Sequence, residues 1–337
     1  MRPVAVVGYE SAFDFSAPGR NEVEILMPVL GEVFGRLGIT LDDIGFTCSG
    51  SSDYMAGQAF AFVTALDAVG PWPPIVESHV EMDGAWALYE AWVKLQLGEV
   101  DTALVYAFGK SSLGDQKRIP ALQLDPYCVQ PLWPDPAALA ALQARAWMER
   151  TGAGEKDLAG VASRFTGRSI DDLLAEPYTV SPLRAHDQGP TGDAAAVVVL
   201  AAGDRAGELC ERPAWITGID HRIEPHALGL RDLTVSESTR LAATHAGVAD
   251  GPVDVAELHA PFSHQELILR DALGLDGNVT VGGVLTENPM MVAGLQRIGA
   301  AAQAILDGRA QRAVAHATSG ACLQQNLVAV LSTEASP

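Results

Sequence analysis

Residues 4–8 form an unbroken apolar run ending in glycine, the pattern of a strand buried on both faces. Residues 22–37 follow with apolar positions returning at helical spacing, so a βα unit opens the chain. Residues 42–47 predict a further strand, residues 53–69 a helix, and residues 83–98 a third helix with a glycine stop at Gly98. A buried strand is expected over residues 101–108. Alternation of this kind predicts an α/β domain with a mostly parallel sheet.

The pattern changes over residues 109–192. Pro-rich turns occupy residues 124–136, and two or three polar helices fit between residues 136 and 174, so this stretch reads as an insertion. The sheet pattern resumes over residues 194–201, and a second α/β series begins at Ala214, with strands predicted over residues 253–258 and 312–317. The two series echo each other: LQLGEVDTALVYAFG in the first corresponds to AILDGRAQRAVAHATSG in the second, each a helix, a turn and an apolar strand. The expected division is residues 1–110 with 190–207 as one half, 111–189 as the insert, and 208–337 as the second half.

Length and charge narrow the function classes. A chain of 337 residues, 48% apolar and 19% charged, can bury two cores of ordinary density, and its Ala-rich composition is compatible with an oligomer interface. A formal charge of −20 with no Lys/Arg stripe argues against nucleic acid and against an anionic membrane surface. The N-terminal residues go straight into strand pattern without the features of a signal peptide, which makes the cytoplasm the expected location. Cys48, Cys128, Cys210 and Cys322 are far apart, and neither a CxxC pair, an HExxH, a Walker loop nor a GxGxxG supports metal, triphosphate or dinucleotide chemistry.

Five blocks in order, VAVVGYE, EMDGAWALYEAWVKLQLGEVDTALVYAFGKSS, TGDAAAVVVLAAGDRA, ELHAPFSHQELILRDALGL and GGVLTENPMMVAGLQRIGAAAQAILDG, resemble the thiolase superfamily. The likeness is to its sterol-carrier-protein-type and bacterial lipid-transfer-protein branches, the latter including steroid side-chain aldolases, and it covers essentially the whole chain. It implies two similar α/β halves packed as a five-layer αβαβα core with an inserted loop domain. In thiolases a Cys-Ala-Ser-Gly element carries the nucleophile. Counting back from Gly98 puts Glu81, Met82, Asp83 and Gly84 in that element, so the nucleophilic cysteine is replaced. A carboxylate would form an anhydride in place of an exchangeable thioester, so Glu81 does not replace the thiolate as nucleophile.

The family's Gly-His-Pro signature is here Glu287-Asn288-Pro289. An amide can donate to an oxyanion but cannot serve as a base at neutral pH. The His-Asp-x-Phe signature survives as His259 with Phe262, and Cys322 lies in the stretch matching the family's C-terminal loop. The resemblance thus implies His259, Glu81 and Asn288 as catalytic residues and His79, Asp83 and Cys322 as pocket neighbours. Read from local chemistry alone, Glu81 and Asp83 would satisfy helix N–H groups, and His79 would be structural.

Nine of the 22 Lys and Arg residues fall between Lys110 and Arg184, and Lys110, Lys117 and Arg118 are the expected contacts of coenzyme A. The leading reading is a carbon–carbon lyase cleaving a β-hydroxyacyl-CoA by retro-aldol chemistry, with His259, at an ordinary imidazole pKa, ranked before Glu81 as base. Coenzyme A enters only as part of the substrate, and no permanently bound cofactor or metal is expected. The aldolases of this branch use C-terminal tyrosines, whereas no tyrosine follows Tyr178 here. Two alternatives remain: a non-catalytic subunit of a hetero-oligomer, and a conventional thiolase or acyltransferase using one of the four cysteines. The expected partners are a thiolase-like chain, in a homo- or hetero-oligomer, and a small zinc-ribbon/OB-fold protein.

Overall fold

The computed structural model describes residues 2–14, 19–112, 115–275 and 277–335. The first half contains β1 (Val4–Asp14), α1 (Glu22–Leu37), β2 (Phe46–Gly50), the short helices α2 (Asp53–Ala56) and α3 (Val63–Val69), β3 (Val76–Val80), α4 (Gly84–Gln96) and β4 (Thr102–Lys110). The intervening stretch has α5 (Arg118–Leu122), α6 (Pro136–Thr151), α7 (Glu155–Thr166), α8 (Ile170–Leu174) and a small hairpin of β5 (Tyr178–Val180) and β6 (Leu183–Arg184). Then follow β7 (Asp193–Ala202), α9 (Asp204–Leu209), β8 (Ala214–Ile223), α10 (Glu237–His245), β9 (Val255–Ala260), α11 (Ser263–Leu273), β10 (Thr280–Val284), α12 (Ala293–Leu306), β11 (Arg312–Ser319) and β12 (Gln325–Ser332).

The sheet order is β10-β9-β11-β12-β8-β1-β7-β4-β2-β3, which is one five-strand pattern used twice. β1, β2, β3, β4 and β7 occupy the places that β8, β9, β10, β11 and β12 occupy in the second half, and the halves join where Ala5 and Val6 of β1 meet Trp215 and Ala214 of β8. The predicted mostly parallel sheet is instead mixed. β2 pairs parallel with β3 and β4, and β9 with β10 and β11, but β7 enters antiparallel between β1 and β4, as β12 does between β8 and β11.

Side-chain alternation makes the layers. Ala103, Val105 and Ala107 of β4 and Ala313, Ala315 and Ala317 of β11 face a shared core that holds α4 and α12. Leu104, Tyr106 and Phe108 face outward to α1 and α3, while Val314, Val328 and Val330 face α10 and α11. The result is helices, sheet, helices, sheet, helices. Two sheets can close on one helical layer only if small residues line the contact. A Cβ on Gly84 would lie 2.6 Å from Ala107 Cβ and 2.9 Å from Leu295, and one on Gly294 would lie 2.6 Å from Ala317 Cβ.

Local chemistry sets several ends. Asn21 and Glu24 form a reciprocal capping box at the start of α1, and Gly38 closes it in the left-handed conformation. The single helix expected over residues 53–69 is broken: Gly57 terminates α2, and the Asp53 carboxylate accepts from Phe60 and Ala61 N–H to shape the bend. The strand expected over residues 42–47 starts later, because Leu41–Asp43 takes a 3₁₀ turn.

Candidate active site

The candidate residues follow the C-terminal ends of strands, where ligands gather in α/β sheets. Glu81 and Asp83 follow β3, His259 closes β9, Asn288 follows β10, and Cys322 lies between β11 and β12. All five line one cavity of about 390 Å³, walled on its apolar side by residues such as Leu124, Leu139, Phe262 and Met290. The backbone fixes this convergence. Asn288 N–H donates to Pro190 O at 2.8 Å, Gly84 N–H to Met291 O at 2.9 Å, and a Cβ on Gly109 would sit 2.1 Å from Met290 O. β4 and the Met290 loop therefore touch only because Gly109 has no side chain.

His259 is buried and uses both ring nitrogens. Thr318 N–H donates to Nδ1 at 3.3 Å, and Nε2 lies 2.8 Å from Asn288 Oδ1. Its pKa is not the ordinary imidazole value expected from the sequence. Burial pulls it down to about 4, against the bond to Asn288, and the Arg297 charge adds to the depression. The imidazole is neutral near pH 7, and its one lone pair is already occupied, which removes the basis for ranking it first as proton acceptor.

Glu81 is exposed at the cavity mouth, and its Oε1 accepts the Asp53 N–H at 2.6 Å. Asp83 is the buried counterpart. Oδ1 accepts from Ala85 N at 2.9 Å and Leu295 N at 3.0 Å, and Oδ2 from Gly294 N at 2.8 Å, so one carboxylate caps both central helices. Burial raises its pKa against the pull of those N–H groups.

Cys322 is buried, donates to Leu139 O at 3.4 Å, and has its thiol pushed up to about 11 by burial. Of the four cysteines it is the one that lines this cavity, and it is not poised as a thiolate. His79 lies elsewhere: it is exposed on β3 and stacks on Phe62 at 3.8 Å between ring centroids. Lys110 is also elsewhere, buried with its Nζ donating to Arg20 O, because strand alternation at the end of β4 points it inward. Lys117 and Arg118 do share a surface, an open hollow of about 500 Å³ that also contains Trp133, Asp115 and Asp135. Arg118 lies 5.7 Å from the Trp133 ring centroid.

Sequence reasoning missed the Thr318 N–H, which no side-chain motif could reveal, and His226, which lines the cavity from the loop after β8. No group of three or more metal-ligating side chains occurs among the described residues. Among the described residues no helix is long and apolar enough to cross a membrane.

No family model matches the chain. The benzoylsuccinyl-CoA thiolase subunit BbsB of Thauera aromatica is 27% identical over 178 residues, which is 44% of this chain and 46% of that protein. The chain thus matches about half the length of this curated relative. Solved structures match end to end. Human mitochondrial 3-ketoacyl-CoA thiolase superposes with a TM-score of 0.77 at 14% identity, covering 99% of both chains, and its complex with CoA gives the same score at 13% identity, covering 99% of this chain and 98% of that one. The Ltp2-ChsH2(DUF35) aldolase gives 0.74 at 15% identity, covering 98% of this chain and 97% of that one. With its repeated five-strand pattern and shared helical layer, the chain has the thiolase fold.

Proposed function

We propose that this protein acts on acyl-CoA thioesters as a carbon–carbon lyase, cleaving a β-hydroxyacyl-CoA by retro-aldol chemistry. The observation that carries this reading is the donor set of the cavity: an amide held by His259 and a cysteine that is no thiolate. Acyl transfer needs a nucleophile that attacks the thioester, whereas retro-aldol cleavage needs a base on the β-hydroxyl and donors for the thioester enolate. Of the two bases considered, Glu81 takes precedence over His259. Glu81 accepts the hydroxyl proton, the oxygen lone pair forms the ketone, the Cα–Cβ bond breaks, and its electrons pass into the enolate. The amide of Asn288 holds the enolate oxygen until Cα is reprotonated, releasing a shortened acyl-CoA.

The CoA complex of the human thiolase and the CoA thioester in the name of BbsB support a CoA-linked substrate. We assign its phosphates to Lys117 and Arg118 and its adenine to the neighbourhood of Trp133. The proposed assembly is a dimer of thiolase-like subunits, and β3, an edge strand with Val76 exposed on it and Trp72 exposed before it, supports pairing there. A second reading, a non-catalytic subunit, is favoured by the involvement of Glu81 with Asp53 N–H and of His259 with Thr318 N–H. The names thiolase subunit BbsB and Ltp2-ChsH2(DUF35) aldolase both denote proteins that work with a second chain.

The test is to offer a CoA thioester bearing a tertiary β-hydroxyl, alone and with a DUF35-type partner, and to measure ketone release and intact protein mass. The lyase reading expects ketone and no acyl adduct. A stable acyl adduct on Cys322 would return the chain to conventional acyl transfer, and no ketone under either condition would favour the non-catalytic subunit.

A further inference from the structure

The second half contains two histidine–asparagine pairs that differ at the asparagine, and one of them lines the cavity. His316 Nε2 lies 2.9 Å from Asn326 Oδ1, and Asn326 Nδ2 donates to Ser236 and Ser238 hydroxyls and to Leu323 O. That amide is fully employed within the protein. His259 makes the same contact with Asn288, but among the described residues no protein acceptor takes the Asn288 Nδ2, and Asn288 lines the cavity.

A backbone N–H has no choice of role. Because Thr318 N–H donates to His259 Nδ1, that nitrogen carries the lone pair, and the ring proton must sit on Nε2. An Nε2–H needs an acceptor, so the atom facing it is the Asn288 carbonyl oxygen, and the N–H₂ end is turned the other way. Had Nδ1 faced a carbonyl, the same two side chains would have presented an acceptor to the cavity.

We infer that His259 is a positioning residue: fixed in the Nε2–H form by the Thr318 backbone, it turns the Asn288 amide so that the cavity offers a hydrogen-bond donor to a thioester oxygen. The order of influence runs from β11 through β9 to the loop after β10. Protonating Nδ1 would set two donors against each other at Thr318. Arg297 on α12 disfavours a positive charge on the ring, and the cavity carboxylates Glu81 and Asp83 follow β3. The role of the donor rests on the lyase reading, whereas the tautomer and the coupling do not.

Two measurements test the inference separately from that reading. In ¹⁵N-histidine NMR spectra, assigned with His259→Gln, His259 is expected to remain a neutral Nε2–H tautomer from pH 8 to pH 5. An Nδ1–H tautomer, or titration near pH ~6.5, the ordinary imidazole value, would overturn it. The second measurement is binding of a CoA thioester carrying a non-cleavable enolate mimic, by calorimetry, to His259→Ala, Asn288→Ala and the double variant. Expected is a loss of about tenfold or more in each single variant and no further loss in the double, the signature of residues acting as a unit. Additive losses would show that His259 contributes independently of Asn288, and the positioning role would fail. The amide donor in His259→Gln should restore part of the affinity lost in His259→Ala; no restoration would also count against it. If mimic binding behaves as expected while no β-hydroxyacyl-CoA is cleaved, the inference stands and the lyase reading falls.

Discussion

Asp83 shows how one residue can carry more structure than its sequence neighbourhood suggests. Its carboxylate takes N–H groups from α4 and from α12, so it caps two helices across the junction of the halves. Asp83→Ala would leave three N–H groups without their acceptor. At about 1 kcal/mol for each helix cap, with a further cost for burial without a partner, a loss of roughly 2–4 kcal/mol is expected in denaturant unfolding. A change within about 0.5 kcal/mol would mean that water replaces the carboxylate there. In the sequence, Asp83 was legible as a helix-start residue, but its second helix lies more than two hundred positions away and has no local signature. His259 was legible as a residue of the candidate site through its spacing to Phe262. Its altered pKa was not, because burial and the Arg297 charge come from elements that only the fold brings together. Lys110 illustrates the opposite error: the charge of the stretch was read correctly, but strand alternation turns this side chain inward.

At the scale of elements, apolar runs with helical or strand spacing were the most legible features. α1 begins and ends where the periodicity places it, β7 and β11 contain the predicted runs, and β4 begins one residue after its predicted start. β3, β10 and β12 were not anticipated. β3 and β10 are short and lie at the sheet edges, where half-exposed residues weaken the apolar signal. The resemblance of the two series was visible, and its physical content is the common spacing of glycine and alanine: Gly84 meets Ala107, and Gly294 meets Ala317. Gly109→Ala is predicted to be the more damaging substitution, because its Cβ would lie 2.1 Å from a backbone oxygen, which cannot rotate away. Thermal unfolding should shift down by several degrees with loss of CoA-thioester binding, since the displaced Met290 loop adjoins Asn288. An unchanged melting temperature would show that the two loops are not in contact.

At the scale of the whole molecule, pH couples to stability through buried imidazoles. His259 is held at about 4, and His264 and His316 at about 3, all by burial, against 6.5 for the free side chain. Between those values the unfolded chain binds more protons than the folded one. Stability is therefore fully present above pH 6.5 and is lost as pH falls, by up to about 1.4 kcal/mol per pH unit for each histidine. Asp83 and Glu257, raised by burial, act in the opposite sense and offset part of the loss. A urea midpoint lower at pH 5 than at pH 7.5 is expected, and an equal or higher one would contradict the balance of three imidazoles over two carboxylates. The surface hollow supplies a further prediction: Lys117→Glu with Arg118→Glu should weaken CoA binding at least tenfold, and unchanged affinity would make these residues solvated loop charges. The central claim is that an Asn288 donor serves an enolate in place of a thiolate serving an acyl group. It is tested most directly by turnover of a tertiary β-hydroxyacyl-CoA by wild type and Asn288→Ala side by side. The account predicts ketone release by the wild type and a fall of roughly 10²–10³ in kcat for the variant, with a much smaller change in KM. Equal kcat values in the two proteins would contradict it.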